Sequence, residues 1–174
     1  MLISKNSLTI GQLFEQQPLY VVDEKYYTKA LSSDPCQMTL EGKNKKKTLV
    51  VYQCNEGHEL PSNQYQPLTK LLKAVGFEID DIYLINADDL PQKAFCYLLH
   101  HFSFEACVFL GPTAGEVGLT VKAPRNRFFR IENKLLFFTH PLKELIANAN
   151  NEKREMWLHF KQLPKMMANG TTNV

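Results

Sequence analysis

The chain has 174 residues, a length that predicts one domain, because two domains would each be undersized. Hydrophobic residues make up 44% and charged residues 22%, which are ordinary values for a globular protein with a core. Its 20 lysines and arginines against 18 aspartates and glutamates leave a net charge of +2. This balance excludes binding to nucleic acid through overall charge alone and leaves open a local basic patch.

Neither a membrane segment nor an export signal is apparent. No apolar run approaches the ~20 residues that a transmembrane helix needs, and residues 1–17 carry polar and acidic groups where a signal peptide needs an apolar stretch. The cysteines, Cys36, Cys54, Cys96 and Cys107, form no C-x-x-C pair. We therefore expect a cytoplasmic protein with free thiols, no membrane association, and no metal or other cofactor.

Residues 1–47 predict an extension or arm ahead of the main domain. Ser7 is a candidate helix cap, followed at the i, i+3, i+4 spacing by Ile10, Leu13 and Phe14. The alternative is extra structure packed on the domain. Residues 41–47 form a lysine-rich loop whose simplest interpretation is a solvated connection. We place the main domain at 48–163 and a flexible tail at 164–174.

Strands and helices alternate from residue 48 onward. Residues 48–52 are a continuous apolar run typical of a strand covered on both faces, and residues 81–86 and 105–110 are predicted as the second and third strands. Between them lie two sets of apolar residues at helical spacing, which are Leu68, Leu71, Leu72 and Val75, then Phe95, Leu98, Leu99 and Phe102. This β-α-β-α-β order predicts parallel strands joined by right-handed crossovers.

The remaining chain predicts two more strands and two helices. Runs at 128–131 and 135–139 flank a turn, so one is expected to be an edge strand and the other a fourth core strand. Helices follow at 142–147 and 152–162, and Pro164 is expected to end the second. The predicted fold is α/β, a three-layer α/β/α sandwich around a mostly parallel four-stranded sheet.

Sites in open α/β sheets form at the carboxyl ends of the strands. The polar residues expected there are Glu56, His58, Glu59, Asn86 and His140. They supply groups for general acid–base chemistry without an obvious nucleophile elbow. Each also has a structural interpretation, because an asparagine or a His-Pro pair often shapes a turn and loop glutamates are usually solvated.

A basic and aromatic cluster is the best candidate for nucleic-acid binding. Arg125, Arg127 and Arg130 are interleaved with Phe128 and Phe129. Basic side chains hold phosphates, and an aromatic ring can stack on a base. The alternative is a basic hairpin whose phenylalanines are buried.

Taken in order, the motifs of residues 48–163 resemble the uracil-DNA glycosylase superfamily, most closely its bacterial and archaeal branches related to iron–sulfur enzymes. The motifs are Leu49-Val50-Val51, Leu71-Leu72-Lys73-Ala74-Val75-Gly76, Asp80-Asp81-Ile82-Tyr83-Leu84-Ile85-Asn86, Cys107-Val108-Phe109-Leu110-Gly111-Pro112-Thr113-Ala114, Thr139-His140-Pro141 and Lys153-Arg154-Glu155-Met156-Trp157. The resemblance implies that Asn86 recognises the edge of a flipped uracil and that His140 polarises its carbonyl.

The chain departs from that family at two points. The family's first motif is a Gly-acid-Ala-Pro-Gly loop that positions the attacking water, whereas residues 53–59 here read QCNEGHE. Glu56 or Glu59 would therefore have to orient the water. The cysteine pair that ligates the cluster near the family's N-terminus is also missing, so we expect no iron–sulfur cluster.

These departures fit a second resemblance, to the psi subunit of the bacterial DNA polymerase III clamp loader. That family is similar to a glycosylase fold without its catalytic residues. The motifs that resemble it are Glu59-Leu60-Pro61, Pro67-Leu68, Leu71-Leu72, Pro141-Leu142, Ala147-Asn148, Arg154 and Trp157. The psi subunit binds partner proteins through one face and an N-terminal arm, and residues 1–47 would correspond to that arm.

Three hypotheses follow. The first is a non-catalytic glycosylase-fold module that binds replication or repair proteins, or DNA. The second is an active uracil-DNA glycosylase acting on single-stranded or uracil-containing DNA, with Asn86, His140 and Glu56 or Glu59 in its site. The third is a generic α/β domain whose resemblance is only topological.

Overall fold

The computed structural model describes residues 38, 40–54, 59–91, 94–131, 133–147 and 151–170. The predicted arm falls mostly on residues 1–37, which lie outside the described residues. Glu56 and His58 of the predicted site loop also lie outside them.

A six-stranded sheet forms the centre of the protein, in the order β1-β3-β2-β4-β6-β5. The strands are β1 (Glu41–Gly42), β2 (Thr48–Tyr52), β3 (Ile82–Asn86), β4 (Ala106–Leu110), β5 (Arg127–Ile131) and β6 (Lys134–Thr139). The four inner strands run parallel, and β1 and β5 pair antiparallel at the two edges. The predicted α/β class is confirmed, with six strands in place of four.

Continuous apolar sequence explains the inner strands, because both faces of a parallel sheet are covered. All five residues of β2 are buried, and so are all five of β4. The predicted pair of C-terminal strands divides as expected, since β6 joins the parallel core and β5 lies at the edge. Asn133, with a φ of 65°, makes the tight turn between them.

Helices cover both faces of the sheet and give three layers. They are α1 (Ser62–Ala74), α2 (Phe95–His101), α3 (Leu142–Ala147), α4 (Asn151–Phe160) and α5 (Leu163–Gly170). Helices α1, α3, α4 and α5 pack on one face, and α2 with the segment 114–119 packs on the other. Two separate apolar clusters therefore sandwich the sheet.

Two elements lie outside the domain boundaries that the sequence predicts. Strand β1 comes from the predicted extension, yet it pairs with Tyr83 and Leu84 of β3. Helix α5 covers residues for which the sequence predicts a flexible tail. Pro164 does not end the helical region, because it occupies the first turn of α5, where its missing N–H has no helical partner to lose. Residues 171–174 lie outside the described residues.

The lysine-rich loop is anchored to the domain. Lys43 and Lys45 contact Asp80 at 2.8 and 3.1 Å, and Lys46 contacts Asp81 at 2.8 Å. Hydrogen bonds from these lysines hold the pKa of both aspartates below the usual range. Since the loop precedes β2 and the aspartates precede β3, the cluster lies at the end of the sheet opposite the carboxyl ends of the strands.

Candidate functional site at the carboxyl ends of the parallel strands

The parallel strands end in one row. Asn86 pairs with Tyr52, Tyr52 with Leu110, and Leu110 with Thr139. Three interstrand spacings of about 4.8 Å put the Cα atoms of Asn86 and Thr139 about 14 Å apart. His140 follows Thr139. Asn86 and His140 therefore lie at the same end of the sheet, where the parallel strands finish. The strand order reverses between β2 and β4, which is where open α/β sheets place ligands.

Asn86 closes β3 and shapes the turn that follows. It is 1% exposed, and its Oδ1 accepts the backbone N–H of Asp88 at 3.0 Å. This bond caps the short 3-10 turn Ala87–Asp89. Thr139, at the other end of the row, is also buried and donates to Oδ1 of Asn126 at 2.6 Å. Both polar side chains are thus engaged with protein groups.

His140 lies between β6 and α3 and faces two carboxylates. Its Nδ1 is 3.3 Å from Oε2 of Glu144 and 3.9 Å from Oε2 of Glu152, and the side chain is 20% exposed. Glu144 is one helical turn further along the chain, and Glu152 begins α4. The imidazole can therefore link the starts of these two helices.

Glu59 is brought close to two tyrosines that sequence reasoning missed. A cavity of about 380 Å³ is lined by residues of β1, β2, β3 and α1 and of the segments just before β1 and α1, which are Leu40, Glu41, Tyr52, Glu59, Leu60, Tyr65 and Leu84. Their positions in the sequence could have indicated this, since Tyr52 ends β2 and Tyr65 lies in the first turn of α1.

The tyrosines of this cavity hold their protons strongly. Burial, followed by nearby negative charges including those of Glu41 and Glu59, raises the pKa of Tyr52 to about 12. The Tyr65 hydroxyl donates to Glu41, and this bond raises the pKa of Tyr65 to about 12. At neutral pH both phenols are donors, so the cavity presents hydroxyls and carboxylates and no described cation.

A second cavity, of about 290 Å³, opens at the carboxyl ends of β2, β3 and β4. Its polar lining residues are Gln53, Asp88 and Glu116. The Thr113 backbone N–H and hydroxyl donate to Glu116 at 2.7 and 2.8 Å, and these bonds hold the pKa of that carboxyl below its usual range. Among the described residues, the lining includes neither Asn86 nor His140.

The arginine cluster is divided between the two faces of the sheet. Arg127 and Arg130 are an odd number of residues apart on β5, so their side chains leave opposite faces. Arg130 donates from Nη2 to the carbonyl oxygen of Met166 at 2.6 Å. Phe128 and Phe129 pack on Phe137 and Phe138 of β6, with ring centroids 4.6 and 5.6 Å apart. Phe128 and Phe129 themselves are partly exposed.

An apolar groove lies on the helical face formed by α1, α3 and α4. Its volume is about 400 Å³, and its lining is eight apolar residues with Lys70 and Lys153. Helix α3 contacts both α1 and α4, so it forms the floor between two helical walls. Sequence analysis assigned no site to these residues, because apolar positions at helical spacing are usually core.

No protein-family model matches this sequence, and a comparison with curated proteins gives no match either. Within the described residues, no helix has both the length and the apolar character to cross a bilayer. The described histidines, cysteines and carboxylates also form no group of three or more that could hold a metal ion.

Proposed function

We propose that this chain is a non-catalytic module of glycosylase-like fold that binds a replication or repair partner, as its resemblance to the psi subunit implies. The observation on which this rests is the state of Asn86. The side chain that would recognise a base is 1% exposed, and its Oδ1 is bonded to the next turn of its own chain. A glycosylase needs that amide to face a flipped base.

The described surface favours a protein partner over DNA. Lys43, Lys45 and Lys46 are paired with aspartates, and the arginines of β5 leave opposite faces of the sheet. A nucleic-acid groove needs cations along one track and aromatics free to stack. The apolar groove between α1, α3 and α4, by contrast, offers the kind of surface on which proteins associate.

A strand-cleavage assay tests the absence of catalysis. Single-stranded DNA containing one uracil is incubated with the full chain and then treated with alkali, which breaks the strand at any abasic site. We expect no breakage above that of DNA without uracil. Breakage by the wild-type chain that disappears in both Asn86→Ala and His140→Ala would establish an active glycosylase and reject the module.

Binding to DNA is tested separately, through its dependence on salt. Each phosphate contact releases counterions and steepens the fall of affinity with salt. We expect weak binding of a single-stranded oligonucleotide and the same slope for wild type and Arg127→Ala. A steep slope that flattens in Arg125→Ala and Arg127→Ala would favour DNA as the partner.

One observation supports the active glycosylase as a second candidate. The row of strand ends puts Asn86 and His140 at the same end of the sheet, with Tyr52 between them in strand order. Glu59 lines a cavity together with Tyr52. In that case Asn86 would hold the uracil, His140 would stabilise the departing uracil anion, and Glu59 would orient the water that attacks the sugar. The same assay with Glu59→Gln decides whether that carboxylate takes part.

A further inference from the structure

We propose that the groove between α1, α3 and α4 binds an acidic amphipathic helix of a partner protein, with the partner's apolar face on the groove and its carboxylates on Lys70 and Lys153. This inference deepens the proposed function and rests on its protein-binding role. It names the chemistry of the partner and the surface that receives it.

The groove exposes apolar surface that a partner could bury. Leu71 and Trp157 are half-buried on its two walls, and Ile146 on its floor is 38% exposed. Exposed apolar surface of this kind, with a polar rim, marks sites of association on soluble proteins. Tryptophan is also among the residues that dominate binding energy at protein interfaces.

The dimensions of the groove suit a helix. Its α1 wall runs from Pro67 to Ala74, which is seven helical rises, or about 10 Å. Two turns of a partner helix span that length and bring apolar residues at i, i+3, i+4 and i+7 to one face. The volume of about 400 Å³ accommodates a few apolar side chains and not a second core.

The positive charges on the groove favour an acidic partner. Lys70 is exposed on α1 and Lys153 is exposed on α4, so each wall of the groove carries one ammonium group. The described lining contains no carboxylate. A partner helix whose carboxylates flank its apolar face would pair with both walls, whereas a basic helix would meet like charge on both sides.

The single tryptophan of the chain makes the groove directly observable. Trp157 lines it, so its fluorescence reports what occupies the groove. The probes are synthetic helical peptides of about 18 residues, long enough to hold a helix. One has leucines at i, i+3, i+4 and i+7 flanked by glutamates, a second has lysines in place of the glutamates, and a third has the acidic composition in scrambled order.

With the full chain, we expect the acidic amphipathic peptide alone to shift Trp157 emission to the blue in a saturable way. Its affinity should exceed that of the lysine peptide by about tenfold at low salt, and the ratio should shrink as salt screens the charges. The double variant Lys70→Glu/Lys153→Glu should reverse the preference. The matched control Lys73→Glu/Arg154→Glu, on the same two helices outside the groove lining, should keep it.

Several outcomes would overturn the inference. Equal affinity for the acidic and basic peptides, equal binding of the scrambled peptide, or no saturable change at Trp157 would each do so. If Trp157 of the full chain already emits in the blue without peptide, and its emission shifts to the red when residues 1–37 are deleted, the groove is occupied by the chain's own N-terminal segment instead. These failures leave the proposed function standing, since it is tested by the strand-cleavage and salt-dependence experiments above and not by the groove.

Discussion

The guanidinium of Arg130 on edge strand β5 donates to the carbonyl oxygen of Met166 in α5 at 2.6 Å, joining the sheet to its last helix. A second, longer bond of 3.4 Å reaches the carbonyl of Asn133 in the turn after β5. Arg130, which the sequence predicts to bind phosphate, therefore stabilises the packing of α5 on β5 in the described chain.

Replacing Arg130 should lower the free energy of unfolding and have little effect on the affinity for DNA. Hydrogen bonds from a charged donor contribute about 1.5–3 kcal/mol where solvent is excluded, and this exposed pair should contribute about 1 kcal/mol. We expect Arg130→Met to lose that much in urea unfolding followed by fluorescence. Arg127→Met, on the same strand and the opposite face, should change stability by less than about 0.5 kcal/mol. Equal effects of the two variants would contradict the structural role.

Glycine is required where β4 ends. Gly111 has a φ of +116°, and an added Cβ would come within 2.8 Å of the Gln53 Cβ at the end of β2. We expect Gly111→Ala to cost about 1–3 kcal/mol of unfolding free energy, from backbone strain and the forced separation of two strand ends. Gly115→Ala is the matched control, because a Cβ added there would have no neighbouring atom within 4 Å. A cost in Gly111→Ala no larger than that in Gly115→Ala would contradict the close contact of the two strand ends.

The sheet core was predictable because its signal is local. Parallel strands covered on both faces are apolar at nearly every position, and the sequences of β2 and β4 show this without reference to the rest of the chain. The turn-forming interpretation of Asn86, which the sequence analysis kept beside the functional one, likewise depends on the next two residues alone. The structure shows that turn as a bond to Asp88.

The elements that the sequence did not locate are defined by distant contacts. Strand β1 has two residues, Glu41 and Gly42, and no apolar pattern, so its place is set by pairing with β3 and by the Tyr65 hydroxyl. The groove depends on how α1, α3 and α4 pack, which no spacing within one helix reveals. The division of the arginines could have been foreseen from the two-residue period of a strand.

Acid should lower the free energy of unfolding by protonating Asp81, which anchors the lysine-rich loop. Bonds from Lys46 and from the Glu78 backbone N–H keep the pKa of Asp81 low in the folded chain. Its folded pKa lies below the unfolded value of about 3.9, so its contribution is present above that pH and is lost as pH falls through the folded pKa. We expect Asp81→Asn to cost about 1 kcal/mol or less at neutral pH and almost nothing in strong acid.

The measurement for Asp81 is urea unfolding of wild type, Asp81→Asn, Lys46→Met and the double variant at neutral and at low pH. The double-mutant cycle isolates the energy of the Lys46–Asp81 pair from other effects of each change. A coupling energy that stays constant across this pH range would exclude the pair as the source of the acid sensitivity.

Alkali should lower the free energy of unfolding at the opposite end of the sheet, by ionising Tyr52 and Tyr65. Both have a pKa of about 12, above the unfolded value of about 10. Their contribution to stability is fully present below about pH 10 and is lost as pH rises through the folded value. We expect Tyr65→Phe, which removes the bond to Glu41, to cost about 1 kcal/mol at neutral pH. It should also remove one of the latest steps in a tyrosinate absorbance titration. If that late step persists in Tyr65→Phe and disappears in Tyr83→Phe, the assignment to Tyr65 is wrong.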